Sequence, residues 1–426
     1  MIHRAKTFMR KPTSVNVIVN TAGSVLNVFF AAMMHFFLFR IMSPTDYGVL
    51  TIWLAVIYVA ANMLDFGTTA TIYAYLPPLL QRRDEELYSF LKTIFSYQIV
   101  LALVMAVVFI FAFPALDAYF LKTGASSAVM GVSIVAIVFF IMQNFTFNLL
   151  YGAKKFFTSH IFNTVANATK LTALIICLQL NIQRIEVLMA ILTVLGTALF
   201  IGPVAILKRR LLVRVFSSHF DRSQLRLKYT FAYLLSSQVY NLGQRMDLFM
   251  LSFFGLGAAA GYYAAAQKIV LSVATAVVSI TQVLSPMFAE VSTKEKVRPL
   301  LKQSFLYLMI PSGIFLVLAI TPQFIFNLYL NKFAVAAPLA RMLAVPFVIF
   351  ALGNIALLFM LYTAKKSHAV LAANVVYFII MTGGAYIGVG NWGAGSLPVV
   401  VGLAFSGSVG LLTIWGIAEY KKLPAT

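Results

Sequence analysis

The sequence predicts an all-α, polytopic membrane protein with twelve transmembrane helices in two parallel-repeat bundles of six. Three observations predict this fold class. Of the 426 residues, 61% are hydrophobic and only 10% are charged, whereas soluble domains carry roughly 25% charged residues. Long apolar segments recur along the whole chain. The mean hydropathy of +0.92 therefore reflects many such segments rather than one anchor.

Each predicted helix is a stretch of about 20 mostly apolar residues, the length that crosses a bilayer. Backbone groups that face lipid must be hydrogen-bonded within their own segment, so these stretches are predicted to be helices. Turn-forming residues separate them, such as Ser43 and Pro44 after the first and Pro114 after the third. The predicted spans are 15–39, 48–76, 89–113, 127–150, 159–180, 187–207, 229–254, 260–288, 301–321, 339–362, 368–389 and 397–417.

The two halves of the chain repeat each other. LYGAKK at 150–155 returns as LYTAKK at 361–366, and the pattern LKxxFxY at 91–97 returns at 301–307 with nearly the same offset. Six spans is an even number, so both halves share one orientation. Duplicated transporter folds of this kind place the substrate path between the halves. The predicted domains are an N-terminal bundle (1–207), a basic cytoplasmic linker (208–228) and a C-terminal bundle (229–426).

The positive charge of the chain follows the predicted membrane topology. The net charge is +20, and most of the 32 Lys and Arg residues fall in alternate connectors. Basic residues mark the cytoplasmic side of membrane proteins. We therefore expect a multi-pass protein of the plasma (inner) membrane with both termini in the cytoplasm. The same distribution argues against a nucleic-acid partner.

The longest charged connector is the linker at 208–228. It mixes basic residues with apolar ones such as Leu211 and Phe216. This mixture suits an amphipathic segment on the inner leaflet. A solvated tether between the halves is an equally good interpretation.

The sequence lacks the motifs that would indicate several other classes of function. There is no phosphate-binding GxxxxGK[ST] motif, no loop long enough for a catalytic domain, and no cluster with metal-ligand spacing. The single cysteine, Cys177, excludes an intramolecular disulfide. The apolar stretch that ends near Phe39 is too long for a cleavable signal peptide. We expect neither an enzyme nor a bound cofactor or metal.

Basic residues inside predicted spans are the first candidates for a substrate path. A charge in the hydrocarbon region usually faces a cavity or a partner. Lys170 lies near mid-membrane and shares a helix face with Asn163 and Asn167. Lys268 begins a polar stripe that continues to Gln282. For Lys268, a helix-packing seam and a side chain that extends to the interface are the alternatives.

Further candidates lie on the seventh, second and first spans. Arg245 is four residues after Asn241 and two before Asp247, which could instead neutralise Arg245 locally. Asp65 could pair with one of these cations or bind a coupling proton or cation, and a purely structural ion pair is as good an interpretation. His35 is a candidate path residue, with a neutral core histidine as its alternative. The slight cationic excess would attract an anionic headgroup such as a pyrophosphate.

Short motifs resemble those of polysaccharide transporters. FRIMSPTDYG at 39–48 resembles their R-x-L-S-P-x-x-Y-G segment. RMD at 245–247 and GYYAAAQK at 261–268 resemble the R-x-D and G-x-Y-x-x-A-x-K patterns of their seventh and eighth spans. Over essentially the whole chain, the sequence resembles the O-antigen and exopolysaccharide flippases. These form a branch of the multidrug/oligosaccharidyl-lipid/polysaccharide exporter superfamily.

The resemblance implies a V-shaped bundle that opens laterally to lipid. It implies alternating-access transfer of a polyprenyl-pyrophosphate-linked oligosaccharide from the inner to the outer leaflet, for synthesis of surface polysaccharides such as lipopolysaccharide. Arg245, Asp247 and Lys268 would line the lumen. A polysaccharide polymerase and glycosyltransferases would be partners, beside the membrane lipids. Lipid II flippases of the superfamily usually have fourteen spans, so twelve argues against that assignment.

Other transport functions compete with this interpretation. A drug/cation or other small-solute antiporter of the same superfamily would centre on acidic lumen residues, whereas this chain offers more basic ones. A major-facilitator symporter also has six plus six spans, but its G-x-x-x-D-R-x-G-R-R pattern is absent from the loop at 80–87. A membrane-bound polymerase or glycosyltransferase would need a large outer loop with catalytic residues.

Overall fold

The computed structural model describes residues 12–63, 68, 71–72, 75–76, 79–80, 85–225, 235, 237–329 and 331–425. Within these ranges the chain is helical between short connectors and contains no strand, which confirms the all-α fold class. The helices are α1 (Pro12–Ile41), α2 (Pro44–Met63), α3 (Glu85–Leu116), α4 (Ser127–Gly152), α5 (Phe156–Gln179), α6 (Ile185–Leu207), α7 (Arg209–Ser217), α8 (Met246–Phe253), α9 (Gly257–Glu290), α10 (Lys294–Ile320), α11 (Pro322–Tyr329), α12 (Ala337–Leu358), α13 (Ser367–Trp392) and α14 (Leu397–Lys422).

Short turns of other helical types extend or join these helices. They are π-helical at Asp117–Leu121, Ile191–Leu195 and Phe359–Thr363, and 3₁₀-helical at Arg222–Leu225, Asn331–Ala336 and Gly393–Ser396. In the described part of the chain, nine helical stretches are long and apolar enough to cross a membrane. The last of them, Ser367–Lys422, contains both α13 and α14. The protein is therefore a multi-pass membrane protein, and the count of twelve spans stays a prediction.

The third predicted span is longer than its sequence pattern indicates. The sequence places its end before Pro114, but α3 continues through Pro114 to Leu116 and then into the π-helical turn. Proline removes one backbone donor, and neighbouring groups in a membrane helix compensate for that loss. The turn closes where the Lys122 N–H donates to the Asp117 carbonyl at 2.6 Å.

A local hydrogen-bond pattern explains the start of α2. The Ser43 hydroxyl oxygen accepts from the Asp46 N–H at 3.1 Å, and the hydroxyl donates to the Asp46 carboxylate at 2.6 Å. Pro44 occupies the first helical position, where its missing N–H is not needed. A serine cap followed by proline is a strong helix start. The SPTD part of the motif at 39–48 is therefore a helix-initiation signal.

The glycines of the two motifs form one close helix crossing. A methyl group on Gly261 of α9 would overlap the Pro44 carbonyl oxygen of α2. A methyl group on Gly48 would in turn overlap the Gly257 carbonyl oxygen. The backbones of α2 and α9 are thus too close for any side chain larger than hydrogen. The motifs at 39–48 and 261–268 are the two sides of this contact.

Aromatic rings surround the same crossing. Tyr47 is fully buried, and its ring meets Phe333 edge to face with centroids 5.6 Å apart. Tyr262 of α9 meets the same Phe333 ring at 6.0 Å. Edge-to-face pairs of this kind add to the apolar area that the rings bury. Tyr47 of the first motif and Tyr262 of the second therefore pack on one shared phenylalanine.

The chain forms two compact units. The first contains the described residues of 1–41, 56–116 and 125–234, and the second those of 42–55, 117–124 and 235–426. The second unit thus includes two pieces from the N-terminal half of the sequence. The predicted division into bundles at 1–207 and 229–426 stays a prediction.

Within the second unit, the piece at 117–124 is hydrogen-bonded to Trp53 of α2. The Asp117 carboxylate accepts from the Thr123 N–H at 2.9 Å and from the Thr123 hydroxyl at 2.6 Å. The Trp53 indole N–H of α2 donates to the same hydroxyl oxygen at 3.0 Å. Asp117 and Trp53 are both buried, so these bonds fix the loop firmly.

Candidate substrate-binding residues in the two units

Lys170 is the charged candidate of the first unit. It lies on α5, and its aliphatic chain runs along Gly196 of α6, directly after the π-helical turn Ile191–Leu195. A methyl group on Gly196 would lie 2.5 Å from Lys170 Cδ and 3.1 Å from Nζ. Lys170 is half-buried, and its ammonium has no hydrogen-bond or ion-pair partner among the described residues. Its three donors are therefore available to a ligand.

Polar pairs join the helices around Lys170. Asn167, one turn earlier on α5, is buried and donates to the Asn27 side-chain oxygen of α1 at 3.2 Å. Thr197, next to Gly196, donates to the Gln143 side-chain oxygen of α4 at 3.0 Å. Each pair makes one hydrogen bond across a helix contact. The pairs therefore tie together the helices that surround Lys170.

Asp247 is the buried carboxylate of the second unit. It is only 2% exposed. Its Oδ2 accepts from the Tyr263 hydroxyl at 2.8 Å and from Gln267 Nε2 at 2.6 Å, and its Oδ1 accepts from the Leu248 N–H at 2.7 Å. The first two donors belong to α9, and the third is an early N–H of α8. Asp247 therefore ties α8 to α9 and caps the start of α8.

Arg245 acts on this carboxylate and on a second cation, Lys268. Arg245 directly precedes α8, and its charge both favours the Asp247 carboxylate and repels Lys268 of α9. The Lys268 ammonium has no hydrogen-bond or ion-pair partner within the described ranges. Arg245 thus interacts with both of the other charged groups, and the Asp247 carboxylate already accepts three hydrogen bonds. The cluster carries a net positive charge.

The predicted seventh span is interrupted at Arg245. The chain is helical at 237–243, turns at 244–245 and resumes as α8. The Arg245 N–H donates to the Leu242 carbonyl, three residues back, so the winding tightens here. Asn241 and Arg245 therefore do not share the continuous helix face that their spacing predicts. In membrane transporters, broken helices are tolerated where the irregular backbone lies within protein or lines a cavity.

Sequence reasoning missed Tyr263 and Gln267 as members of the site. Both lie within the motif at 261–268, and their spacing of four residues puts them on one face of α9. That spacing could have indicated a shared partner. Tyr377 of α13, which interacts electrostatically with Asp247 and Arg245, was missed as well. Its ring lies 5.2 Å from that of Tyr240, and no local pattern links these two positions.

The other predicted site residues do not join these clusters through hydrogen bonds. Within the described ranges, Asn163, Asn241 and His35 form none with the Asp247 carboxylate or with the two lysine ammonium groups, and all three are half-buried. The His35 ring lies 6.3 Å from that of Phe39 on its own helix. Asp65 lies outside the described residues. Across the described ranges, no group of three or more His, Cys, Asp or Glu residues could hold a metal ion.

Asp247→Asn should lower the stability of the protein. In one orientation the new NH₂ group would face the donors of Tyr263 and Gln267, and in the other it would face the Leu248 N–H, so at least one donor would lose its acceptor. A buried unsatisfied polar group costs about 1–3 kcal/mol. Thermal unfolding of the purified protein in detergent should show a lower midpoint. Tyr263→Phe, which removes one donor, should cost less, and equal midpoints for wild type and Asp247→Asn would contradict this role.

Comparison with known proteins places the chain in a sequence family and a fold. The model of a family described as "Polysaccharide biosynthesis protein" matches residues 14–292. No curated protein matches the chain in sequence.

Solved structures of similar fold include a lipid II flippase, MurJ, in an inward closed conformation. It is 13% identical, with a TM-score of 0.71 over 96% of this chain and 89% of that chain. An inward-facing multidrug resistance MATE family transporter of the MOP superfamily is 15% identical, with a TM-score of 0.70 over 95% and 98% of the two chains. A MOP superfamily transporter from Pyrococcus furiosus is 14% identical, with a TM-score of 0.64 over 95% of each chain. At these identities the likeness shows the fold alone.

Proposed function

The chain belongs to the polysaccharide biosynthesis protein family, and we propose that it is a flippase for a polyprenyl-pyrophosphate-linked oligosaccharide. It is a membrane transporter of the MOP superfamily fold and not an enzyme. In our proposal it works in the plasma membrane with both termini in the cytoplasm. It carries its substrate from the inner to the outer leaflet by alternating access.

One observation supports the choice of an anionic substrate. The carboxylate candidate is already hydrogen-bonded within the protein, whereas the two lysine candidates have no partner among the described residues. The Asp247 carboxylate is buried and accepts three hydrogen bonds from the protein itself. The ammonium groups of Lys170 and Lys268, one in each unit, have no such partners among the described residues. Unused donors with positive charge suit an anion, and a pyrophosphate offers several acceptor oxygens.

The same charged groups argue against a cationic drug as the substrate. A cation entering beside Lys268 would meet the charges of Lys268 and Arg245, and the Asp247 carboxylate already accepts three hydrogen bonds. Transfer of charge into a dry membrane interior is costly unless a partner of opposite sign receives it. An antiporter for cations would need further acidic groups at these positions.

The family description and the structural neighbours support the general class of transporter in this proposal. The family is one of polysaccharide biosynthesis, and one neighbour of similar fold is a flippase for lipid II. In our proposal the product is a surface polysaccharide such as an O-antigen or exopolysaccharide. The glycosyltransferases that build the lipid-linked glycan, and the polymerase that consumes it, are proposed partners.

A translocation assay tests the proposal. Purified protein is placed in vesicles with a fluorescent polyprenyl-pyrophosphate oligosaccharide, and a membrane-impermeant quencher reports the leaflet that holds the label. Wild type should move the label between leaflets. Lys268→Gln should slow the movement roughly 10- to 100-fold, the equivalent of a charge-assisted hydrogen bond. The exposed Lys302→Gln removes the same charge elsewhere and should leave the rate unchanged.

A second assay, with a cationic dye in otherwise identical vesicles, tests the drug/cation antiporter alternative. With a proton or sodium gradient, a drug/cation antiporter would accumulate or expel the dye. Our proposal predicts no protein-dependent dye movement. Dye transport without lipid translocation would replace the flippase by the antiporter interpretation.

A further inference from the structure

Helix α7 is held at the membrane surface by its connection to a membrane span. The span α6 ends at Leu207, and α7 begins at Arg209. Ile206 and Leu207 are 77% and 69% exposed, as expected of the lipid-facing end of a span. Only Lys208 separates the two helices. The start of α7 therefore lies where the chain leaves the bilayer.

The outward face of α7 combines basic and apolar side chains. Val213 is 61% exposed and follows Arg210 by three residues and Arg209 by four, so the three lie together on one face. We call Lys208, Arg209, Arg210 and Val213 the basic strip. Within the described part of the chain, its three cations form no hydrogen bond or ion pair through their side chains. Its charge is therefore available to the surroundings.

Contacts with α3 fix which face of α7 points outward. Val215, on the other side of α7, is 5% exposed and belongs to an apolar cluster that includes Leu91 of α3. The Phe216 and Phe95 rings meet edge to face with centroids 5.4 Å apart. The Lys92 ammonium donates to the Phe216 carbonyl at 2.8 Å and so caps the end of α7. These contacts are what a mobile solvated tether would lack.

The acidic residue of the connector does not neutralise the basic strip. Asp221 accepts from the Ser223 hydroxyl at 2.7 Å and from the Ser223 N–H at 2.9 Å. The Ser223 bonds lower the pKa of Asp221, so it stays ionised while its oxygens are held locally. The acidic start of α3 at 85–86 forms no ion pair with the three cations of the strip, within the described residues.

We propose that the basic strip is a binding surface for anionic phospholipid headgroups of the leaflet that α6 leaves. Charge complementarity carries the choice of partner. The guanidinium groups bind headgroup phosphates bidentately, and Val213 enters the boundary between headgroups and acyl chains. Each basic residue near an anionic surface strengthens such binding roughly fivefold. This lipid site is independent of the substrate that the protein carries.

A single labelled cysteine tests the proposal. Replacing the buried Cys177 by alanine and Val213 by cysteine leaves one exposed thiol for an environment-sensitive fluorophore. The protein is placed in vesicles of phosphatidylcholine, or of equimolar phosphatidylcholine and phosphatidylglycerol, each with a lipid spin-labelled near the headgroup. We expect stronger quenching in the anionic vesicles, and loss of that difference at high salt, because ions screen the attraction.

Charge variants complete the test. Arg209→Gln with Arg210→Gln should remove most of the extra quenching, since two lost charges weaken the attraction roughly 25-fold. Both side chains are exposed, so folding should be unaffected. Arg222→Gln removes an exposed charge of the same connector outside the strip and should keep the extra quenching. Equal quenching in neutral and anionic vesicles, or no effect of the double change, would overturn the proposal.

Discussion

Lys170→Gln should slow substrate translocation roughly 10- to 100-fold, the loss expected for one charge-assisted hydrogen bond. The Lys170 ammonium has no partner among the described residues, so glutamine breaks no internal bond and removes only the proposed contact with the substrate. Burial of an uncompensated charge is unfavourable, so the thermal midpoint should stay the same or rise slightly. The checks are the vesicle translocation assay and thermal unfolding in detergent. A lower midpoint that accounts for the lost transport would make Lys170 structural instead.

Two further variants separate the charge of Lys170 from its position. Lys170→Arg keeps the charge and should keep part of the rate. Gly196→Ala keeps the lysine but places a methyl group 2.5 Å from its Cδ, so the side chain must move. Its translocation rate should therefore fall although no charge is lost. Full activity of Gly196→Ala would mean that the position of the ammonium beside α6 has no functional role.

Gly261→Ala should strongly destabilise the protein. The new methyl group would overlap the Pro44 carbonyl oxygen, so α2 and α9 would have to separate along their crossing. Overpacking of this kind typically costs about 1–3 kcal/mol. We expect a clearly lower thermal midpoint and a lower yield of folded protein.

A glycine in open space provides the matched control. Gly383 of α13 has no heavy atom within 4 Å of the position that a methyl group would take. Gly383→Ala should therefore stabilise its helix slightly, because alanine has the higher helix propensity by about 1 kcal/mol. The two alanine variants should thus shift the midpoint in opposite directions. Equal midpoints for both would contradict the close crossing of α2 and α9.

The helices were predictable because lipid leaves little choice of backbone structure. A long apolar stretch must satisfy its own hydrogen bonds, and composition alone reveals such stretches. Where the helices end or break was less predictable. Pro114 predicts the end of the third helix, but α3 continues past it to Leu116. The turn at Gln244 and Arg245 follows Gly243, but glycine is common within membrane helices and does not by itself indicate a break.

The candidate site was predictable one residue at a time, but its contacts were not. A lysine inside an apolar span is conspicuous, so Lys170 and Lys268 stood out from the sequence. Asp247 stood out for the same reason, but its partners Tyr263 and Gln267 lie on the next helix. The close crossing of α2 and α9 joins positions far apart in the chain. Such contacts depend on tertiary packing, which local spacing does not encode.

The most direct measurement compares two labelled lipids in the same vesicles. Both carry one oligosaccharide, joined to polyprenol through a pyrophosphate in the first and through an uncharged linker in the second. We expect wild type to move only the pyrophosphate lipid at an appreciable rate. We also expect Lys170→Gln combined with Lys268→Gln to remove this preference. Equal movement of both lipids by wild type would contradict a transport path that recognises the anionic headgroup through these lysines.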